Sequence, residues 1–173
     1  MLPRQVVRYS QLLGQGLSVN DIKKMCASLK LFPTPFKGIY YVPSDEERKG
    51  WFIDKPLSIL TKATALFLGS NSFYYTCTTA EEFWGINWRP APSTHIVNGK
   101  KSGRIDLKDR IQRNLEKRSY RSKKIARILS FYGDLLVFHR IKDVEKATFK
   151  GTPYGKFASR SQLRRDKQRF RCR

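Results

Sequence analysis

The sequence predicts an α+β fold in two parts, on three observations. Two short amphipathic segments run into a proline-bounded, β-branched stretch ending at Pro43. A charge-neutral centre follows, in which helix-period and strand-period apolar patterns alternate. Turn dipeptides then punctuate the second half. With 173 residues, 40% hydrophobic and 13% aromatic, the chain carries enough apolar surface to bury a core in one domain or two small ones.

Arg4 to Leu13 is predicted as a first helix, with Val6, Val7, Leu12 and Leu13 available for its buried face and Gly14 and Gly16 marking its end. Ser18 with Asp21 has capping-box spacing, and Ile22, Met25, Cys26 and Leu29 recur at helical intervals in a second helix. Pro33 and Pro35 exclude helix, Lys37-Gly38 suits a turn tip, and Ile39 to Val42 reads as a strand stopped by Pro43. Two helices followed by a hairpin outline a small winged-helix-like domain over residues 1–49, closed by the polar connector Ser44 to Lys49. In that arrangement Asn20, Lys23, Lys24 and Lys30 on the polar side of the second helix face the DNA major groove, and Lys37 at the wing tip meets phosphate. The same pair of helices capped by a hairpin also fits an ordinary packing module. A winged helix usually has one more helix, for which this N-terminus is too short.

Residues 50–155 are expected to form the second domain. Pro56 opens a helix with Leu57, Leu60, Ala63 and Leu66 on its apolar side. Phe73 to Cys77 is strand-like, Thr78 or Thr79 is a candidate N-cap, Glu81 and Glu82 suit the first turn of the next helix, and Gly85 suits its C-cap. Thr94 to Val97, the turn dipeptide Asn98-Gly99 and Arg104 to Leu107 read as a hairpin whose tip holds Lys100 and Lys101, a pair that suits a phosphate or plain solvation. Residues 108–124 read as a basic surface helix or mobile loop, and Ile125 to Ser130 and Leu135 to His139 read as strands around Tyr132-Gly133-Asp134. The sum is a curled antiparallel sheet with one or two helices. Residues 156–173 read as a basic C-terminal tail. Its last helix carries Arg164, Arg165, Lys167, Arg169 and Arg171 around most of its circumference and orders on an acidic partner.

Charge points to a polyanion. There are 35 Lys and Arg against 14 Asp and Glu, a net +21, far more than solubility requires. The excess is uneven: residues 51–99 carry three groups of each sign, 100–127 carry twelve basic against three acidic, and 156–173 carry eight against one. Duplex DNA is the expected partner. RNA or a ribonucleoprotein is the alternative, with Tyr120 or Phe170 stacking on bases. Asp106-Leu107-Lys108 has the acid-x-Lys spacing of metal-dependent nuclease cores, with Glu81 or Glu82 as possible companions, but nothing in the sequence places them together. No catalytic role is therefore expected.

Cys26, Cys77 and Cys172 form no CxxC pair, and with His95 and His139 they show no zinc-ligand spacing. Free thiols, structural histidines, and neither metal nor cofactor are the expectation. The lack of a long apolar run or a leader-like N-terminus argues for a cytoplasmic protein away from membranes.

Three runs carry a family resemblance: Phe36-Lys-Gly-Ile-Tyr-Tyr-Val-Pro43, Tyr74-Tyr-Thr-Cys-Thr-Thr-Ala-Glu-Glu-Phe-Trp-Gly-Ile86 and Thr152-Pro-Tyr-Gly-Lys-Phe-Ala-Ser159. In them the chain resembles the AbiEi-type antitoxins and transcriptional regulators of prokaryotic abortive-infection (type IV toxin-antitoxin) systems. The resemblance implies a winged-helix domain that represses its own operon, with Lys23, Lys24 and Lys37 as DNA contacts, joined to a domain that counteracts a nucleotidyltransferase-like toxin. It departs from the family after Ser159, where a long helical part is replaced by a short basic segment.

Overall fold

The computed structural model describes residues 2–89 and 92–172. In chain order the elements are β1 (Gln5–Arg8), α1 (Tyr9–Gly14), α2 (Val19–Ala27), β2 (Phe32–Pro33), β3 (Ile39–Val42), α3 (Asp45–Gly50), α4 (Pro56–Leu68), β4 (Phe73–Thr76) and α5 (Cys77–Phe83). They continue with β5 (Ser93–Asn98), β6 (Gly103–Asp106), α6 (Lys108–Glu116), α7 (Tyr120–Ser130), β7 (Leu135–Arg140), a 3-10 turn at Val144–Lys146, β8 (Phe149–Thr152), β9 (Gly155–Ala158) and α8 (Arg160–Phe170). The fold is α+β with two sheets. No helix among the described residues is long and apolar enough to cross a membrane.

Contacts divide the chain into two compact units, Met1–Phe67 with Lys108–Tyr132 and Leu68–Leu107 with Gly133–Arg173. The expected serial boundaries near residues 50 and 156 do not coincide with this division: the first unit runs on to Phe67 and takes back α6 and α7, and the second unit keeps the segment after 156.

In the first unit a three-stranded antiparallel sheet has the order β1-β3-β2. The helix expected from Arg4 is a strand as far as Arg8. Val6 and Val7 pair with Tyr41 and Tyr40, and these β-branched side chains favour a pleated partner over the isolated helix that their spacing also allows. Helix α2 follows the sequence reading: the Ser18 hydroxyl accepts from the Asp21 amide at 3.1 Å, and the Asp21 carboxylate accepts from the Ser18 amide at 3.0 Å. Val7, Leu12, Ile22, Leu31 and Val42 close the core over these elements.

The connector expected at Ser44 to Lys49 is helix α3. Its capping-box residue Glu47 is 1% exposed. The Glu47 carboxylate accepts from the Ser44 amide at 2.8 Å, the Asp54 amide at 2.9 Å, the Tyr41 hydroxyl at 2.8 Å and the Arg4 guanidinium at 2.8 Å. One side chain thus ties the chain ahead of β1 to β3 and α3. The strand expected at Ile125 to Ser130 is part of helix α7, capped by Ser119, with Ser122, Ala126 and Leu129 buried at i, i+4 and i+7. A short apolar run fits either period, and this one is decided by its helical neighbours.

The second unit holds a six-stranded sheet of order β6-β7-β5-β4-β9-β8. It is open and mixed: β5 and β7 run parallel, as do β4 and β9, and the other neighbours are antiparallel. The expected curled antiparallel sheet is corrected accordingly. The expected hairpin through Asn98-Gly99 does not close, because β7 lies between β5 and β6. The continuous apolar run Leu135 to Phe138 takes that interior place, as strands covered on both faces do. The buried Asn98 side chain accepts instead from the Lys100 and Lys101 amides at 2.8 and 2.7 Å, turning the chain out of β5.

Strand β4 is buried along its whole length. Tyr75 packs with Phe157 on one face of the sheet, while Tyr74 and Val97 join Ala80, Ile141, Ala158 and Leu163 on the other. Helix α5 begins at Cys77 with Thr76 as N-cap, ahead of the Thr78 or Thr79 cap expected. Thr78 and Thr79 are used elsewhere: the Thr78 hydroxyl donates to the Ser93 carbonyl at 3.1 Å, and the Thr79 hydroxyl accepts from the His95 amide at 3.0 Å. Gly85, at φ 65°, follows the helix as expected.

Residues expected as a tail that orders on a partner form β9 and the seated helix α8. Its inner side combines the core residue Leu163 with buried polar groups: Asp166, 2% exposed, accepts from the Thr76 hydroxyl at 2.7 Å and from Gln162 Nε2 at 2.7 Å. Few apolar anchors are needed when a buried carboxylate is matched this closely.

Burial alone would raise the Glu47 carboxyl, but its hydrogen bonds outweigh burial and hold it below its ordinary value. A carboxylate whose folded pKa is depressed contributes stability in full above the unfolded value of about 4.3, and the contribution is lost as pH falls through the folded value. In urea unfolding at pH 7, Glu47→Ala is expected to cost about 3 kcal/mol, because Arg4 and Tyr41 lose their partner. Glu47→Gln should lose less stability than the parent between pH 5 and pH 3.

Candidate functional site

The basic residues singled out from sequence fall into two sets, one in each unit. In the first unit Ile22 faces the core, which leaves Asn20, Lys23 and Lys24 together on the exposed side of α2. Lys30 is exposed beyond the C-terminus of this helix. Lys37 is exposed at the turn between β2 and β3, where Gly38 takes φ 73°.

Several other cations of this unit serve its own fold. Arg110 donates to the Pro35 carbonyl at 2.8 Å, and Arg121 donates to the Cys26 carbonyl at 3.2 Å. The Lys124 ammonium sits 3.1 Å from the Trp51 ring centroid and 4.0 Å from that of Tyr120. Lys108, Arg113, Lys117, Arg118, Lys123 and Arg127 are exposed on or beside α6 and α7.

In the second unit Lys100 donates to the carbonyls of Leu68 and Gly69 at 3.1 and 3.0 Å, where it satisfies the C-terminal end of α4. Its expected phosphate role therefore competes with a structural one. Lys101 is exposed beside it, and Arg104 is exposed on β6. On α8 the buried set Gln162, Leu163 and Asp166 takes one face and turns Arg164, Arg165, Lys167 and Arg169 outward over the rest of the helix surface. Neither Asp106 nor the pair Glu81 and Glu82 belongs to any group of three or more potential metal ligands among the described residues, and Glu81 pairs with Lys167.

A different constellation, invisible in the sequence, lies in the second unit. Cys77 at the start of α5, His95 on β5, His139 on β7 and Cys172 beyond α8 bring one ligand atom each to within 4.8 Å of one another. His95 opposes Thr76 across the β4–β5 ladder, and His139 opposes Val97 across the parallel β5–β7 ladder. The two imidazoles thus share a sheet face. Their rings stack with centroids 5.2 Å apart, and His95 Nδ1 lies 2.9 Å from His139 Nε2. Phe170 also stacks on His139, with ring centroids 4.1 Å apart. The Ser93 hydroxyl is 3.0 Å from His95 Nε2, and Cys172 Sγ is 3.9 Å from His95 Nδ1.

Burial, then the neighbouring His139 and Arg104, push the His95 pKa down to about 4. His139 is also lowered, by burial first and by Arg104, against an upward pull from Asp166. Both rings are thus held neutral at pH 7. Cys77 and Cys172 are joined in a disulfide with Cα atoms 5.8 Å apart, and Cys26 is the free cysteine. The expectation of three free thiols is corrected on this point. A separation of 95 residues gives no spacing signal, and the four residues come from two strands, a helix start and a segment past the last helix. The one legible hint was that both histidines fall in predicted strands.

Comparison of the chain with protein-family models, curated proteins and solved structures finds no match.

Alkylation of the denatured, unreduced chain is expected to label one cysteine, Cys26, and all three after reduction. Mass spectrometry reads the difference, and labelling of three sites without reduction would contradict the Cys77–Cys172 bond.

Proposed function

We propose that the chain is a DNA-binding regulator whose first unit acts as a winged-helix-like module, with α2 presented to the major groove and the β2–β3 turn to the backbone. The observation that carries this reading is the succession β1, α1, α2, β2, β3 folded into a β1-β3-β2 sheet, with Asn20, Lys23 and Lys24 on the open side of α2 and Lys37 at the turn. Major-groove entry needs a helix with one face packed and the other polar. Ile22 against Asn20, Lys23 and Lys24 supplies that division.

The net charge of +21 supports a polyanionic partner, and Arg164, Arg165 and Arg169 on α8 supply further phosphate contacts. The sequence resemblance adds a pairing with a nucleotidyltransferase-like toxin as part of this proposal.

A second reading, RNA binding, is favoured by one observation: most of the basic excess lies outside α2 and its turn, and Tyr120, which has an exposed ring, sits within that excess. The test is a salt titration of duplex DNA binding with structured RNA as competitor. With Lys23, Lys24 and Lys37 all changed to Glu, three lost phosphate contacts at about 0.9 each should flatten the log–log salt slope by about 2.7 and weaken duplex binding more than about tenfold at moderate salt. Unchanged duplex binding in the triple variant would refute the first reading. Preferential competition by structured RNA would establish the second.

A further inference from the structure

The Cys77–Cys172 disulfide does not by itself call for two imidazoles against its sulfurs. A four-ligand centre does. We propose that, with the disulfide reduced, Cys77, His95, His139 and Cys172 bind one divalent ion of the zinc class in closed tetrahedral Cys2His2 coordination.

Zinc–nitrogen and zinc–sulfur bonds of about 2.0 and 2.3 Å at tetrahedral angles place ligand atoms roughly 3.3 to 3.8 Å from one another. His95 Nδ1 and His139 Nε2 are 2.9 Å apart, and Cys172 Sγ is 3.9 Å from His95 Nδ1, so these pairs need a shift of a few tenths of an ångström, while the two sulfurs, once reduced, must part from bonding distance to about 3.8 Å. The histidines stand on adjacent strands of the sheet, which fixes their separation before any ion arrives. Cys77 is fully buried, and His95 is nearly so. The Ser93 hydroxyl meets His95 Nε2, the ring nitrogen turned away from the cluster, where it can accept from an Nε2–H and leave Nδ1 free to ligate. Two soft thiolates with two imidazoles in a tetrahedral set select zinc over magnesium or calcium. Two thiolates also neutralise a divalent ion, so the loaded centre adds no charge beside Arg104.

Disulfide and metal are alternative states of the same sulfurs. A small dithiol reductant transfers two electrons and two protons to the S–S bond and leaves as its cyclic disulfide, which gives two thiols. Metal binding then releases those two protons and keeps both sulfurs as thiolates. The set has four protein ligands and no open position, so its role is structural: it fastens the chain after α8 to β5, β7 and the start of α5. This inference is independent of the nucleic-acid reading.

The test uses the full chain, reduced, stripped of metal and titrated with cobalt(II). The expected result is one equivalent bound, with the visible bands of tetrahedral cobalt and a thiolate-to-cobalt charge-transfer band, both lost on adding one equivalent of zinc. Cys26→Ser should leave the spectrum unchanged. Cys77→Ser and Cys172→Ser should each lose part of the charge-transfer band, and His95→Asn with His139→Asn should lose the tetrahedral pattern. Because these variants can also misfold, the Cys26→Ser chain provides a second readout: zinc should protect both remaining thiols from alkylation. Absence of cobalt uptake by the folded, reduced chain overturns the proposal. So does an unchanged cobalt spectrum in the double histidine variant, which would mean capture by cysteines alone.

Discussion

The placement of α8 depends on one carboxylate. Asp166 is enclosed beneath the helix and is met by Thr76 from β4 and by Gln162 one helical turn earlier. A carboxyl group removed from water is costly unless its oxygens are hydrogen-bonded, so a rotation or slip of α8 would leave those oxygens unmatched. The register this imposes has two results. It turns Arg164, Arg165 and Arg169 away from the sheet, and it ends the helix where Phe170 covers His139 and Cys172 reaches Cys77. The outward cations and the inward Cys/His cluster are thus two products of one seating.

Glu47 plays the corresponding part in the first unit. Among the described residues, Glu47 and Asp166 are the buried acidic side chains of a chain with 35 basic groups, and each fastens elements distant in sequence. Such a cationic protein opposes its own compaction through self-repulsion. Enclosed carboxylates, together with cations used internally such as Arg4, Lys100, Arg110 and Lys124, counter that tendency while the remaining Lys and Arg stay at the surface.

Much of the local structure was legible in the residues. Ser18 with Asp21 capped α2, Pro56 opened α4, and Phe73 to Thr76 formed the central strand because aromatic and β-branched side chains suit a surface buried on both faces. What was not legible depended on partners far away in the chain. Val6 and Val7 became a strand by pairing with Tyr41 and Tyr40. The Asn98-Gly99 turn failed to make a hairpin because β7, some forty residues on, took the place beside β5. The Cys/His cluster is the extreme case: none of its members lies at ligand spacing from another, and only the strand register and the seating of α8 bring them together.

The insertion of α6 and α7 between β6 and β7 bears on how the chain matures during synthesis. The Leu107 amide donates to the Asp134 carbonyl at 2.8 Å and Asp106 pairs with Leu135, so the excursion leaves and re-enters the ladder at neighbouring points. Residues 1–67 are made before α7, yet α7, which packs on β2, is made only after β4, β5 and β6. Neither unit can finish folding in the order of translation. The first unit's set of contacts is complete only once α7 is made, and the sheet's only once β7 and β9 are made.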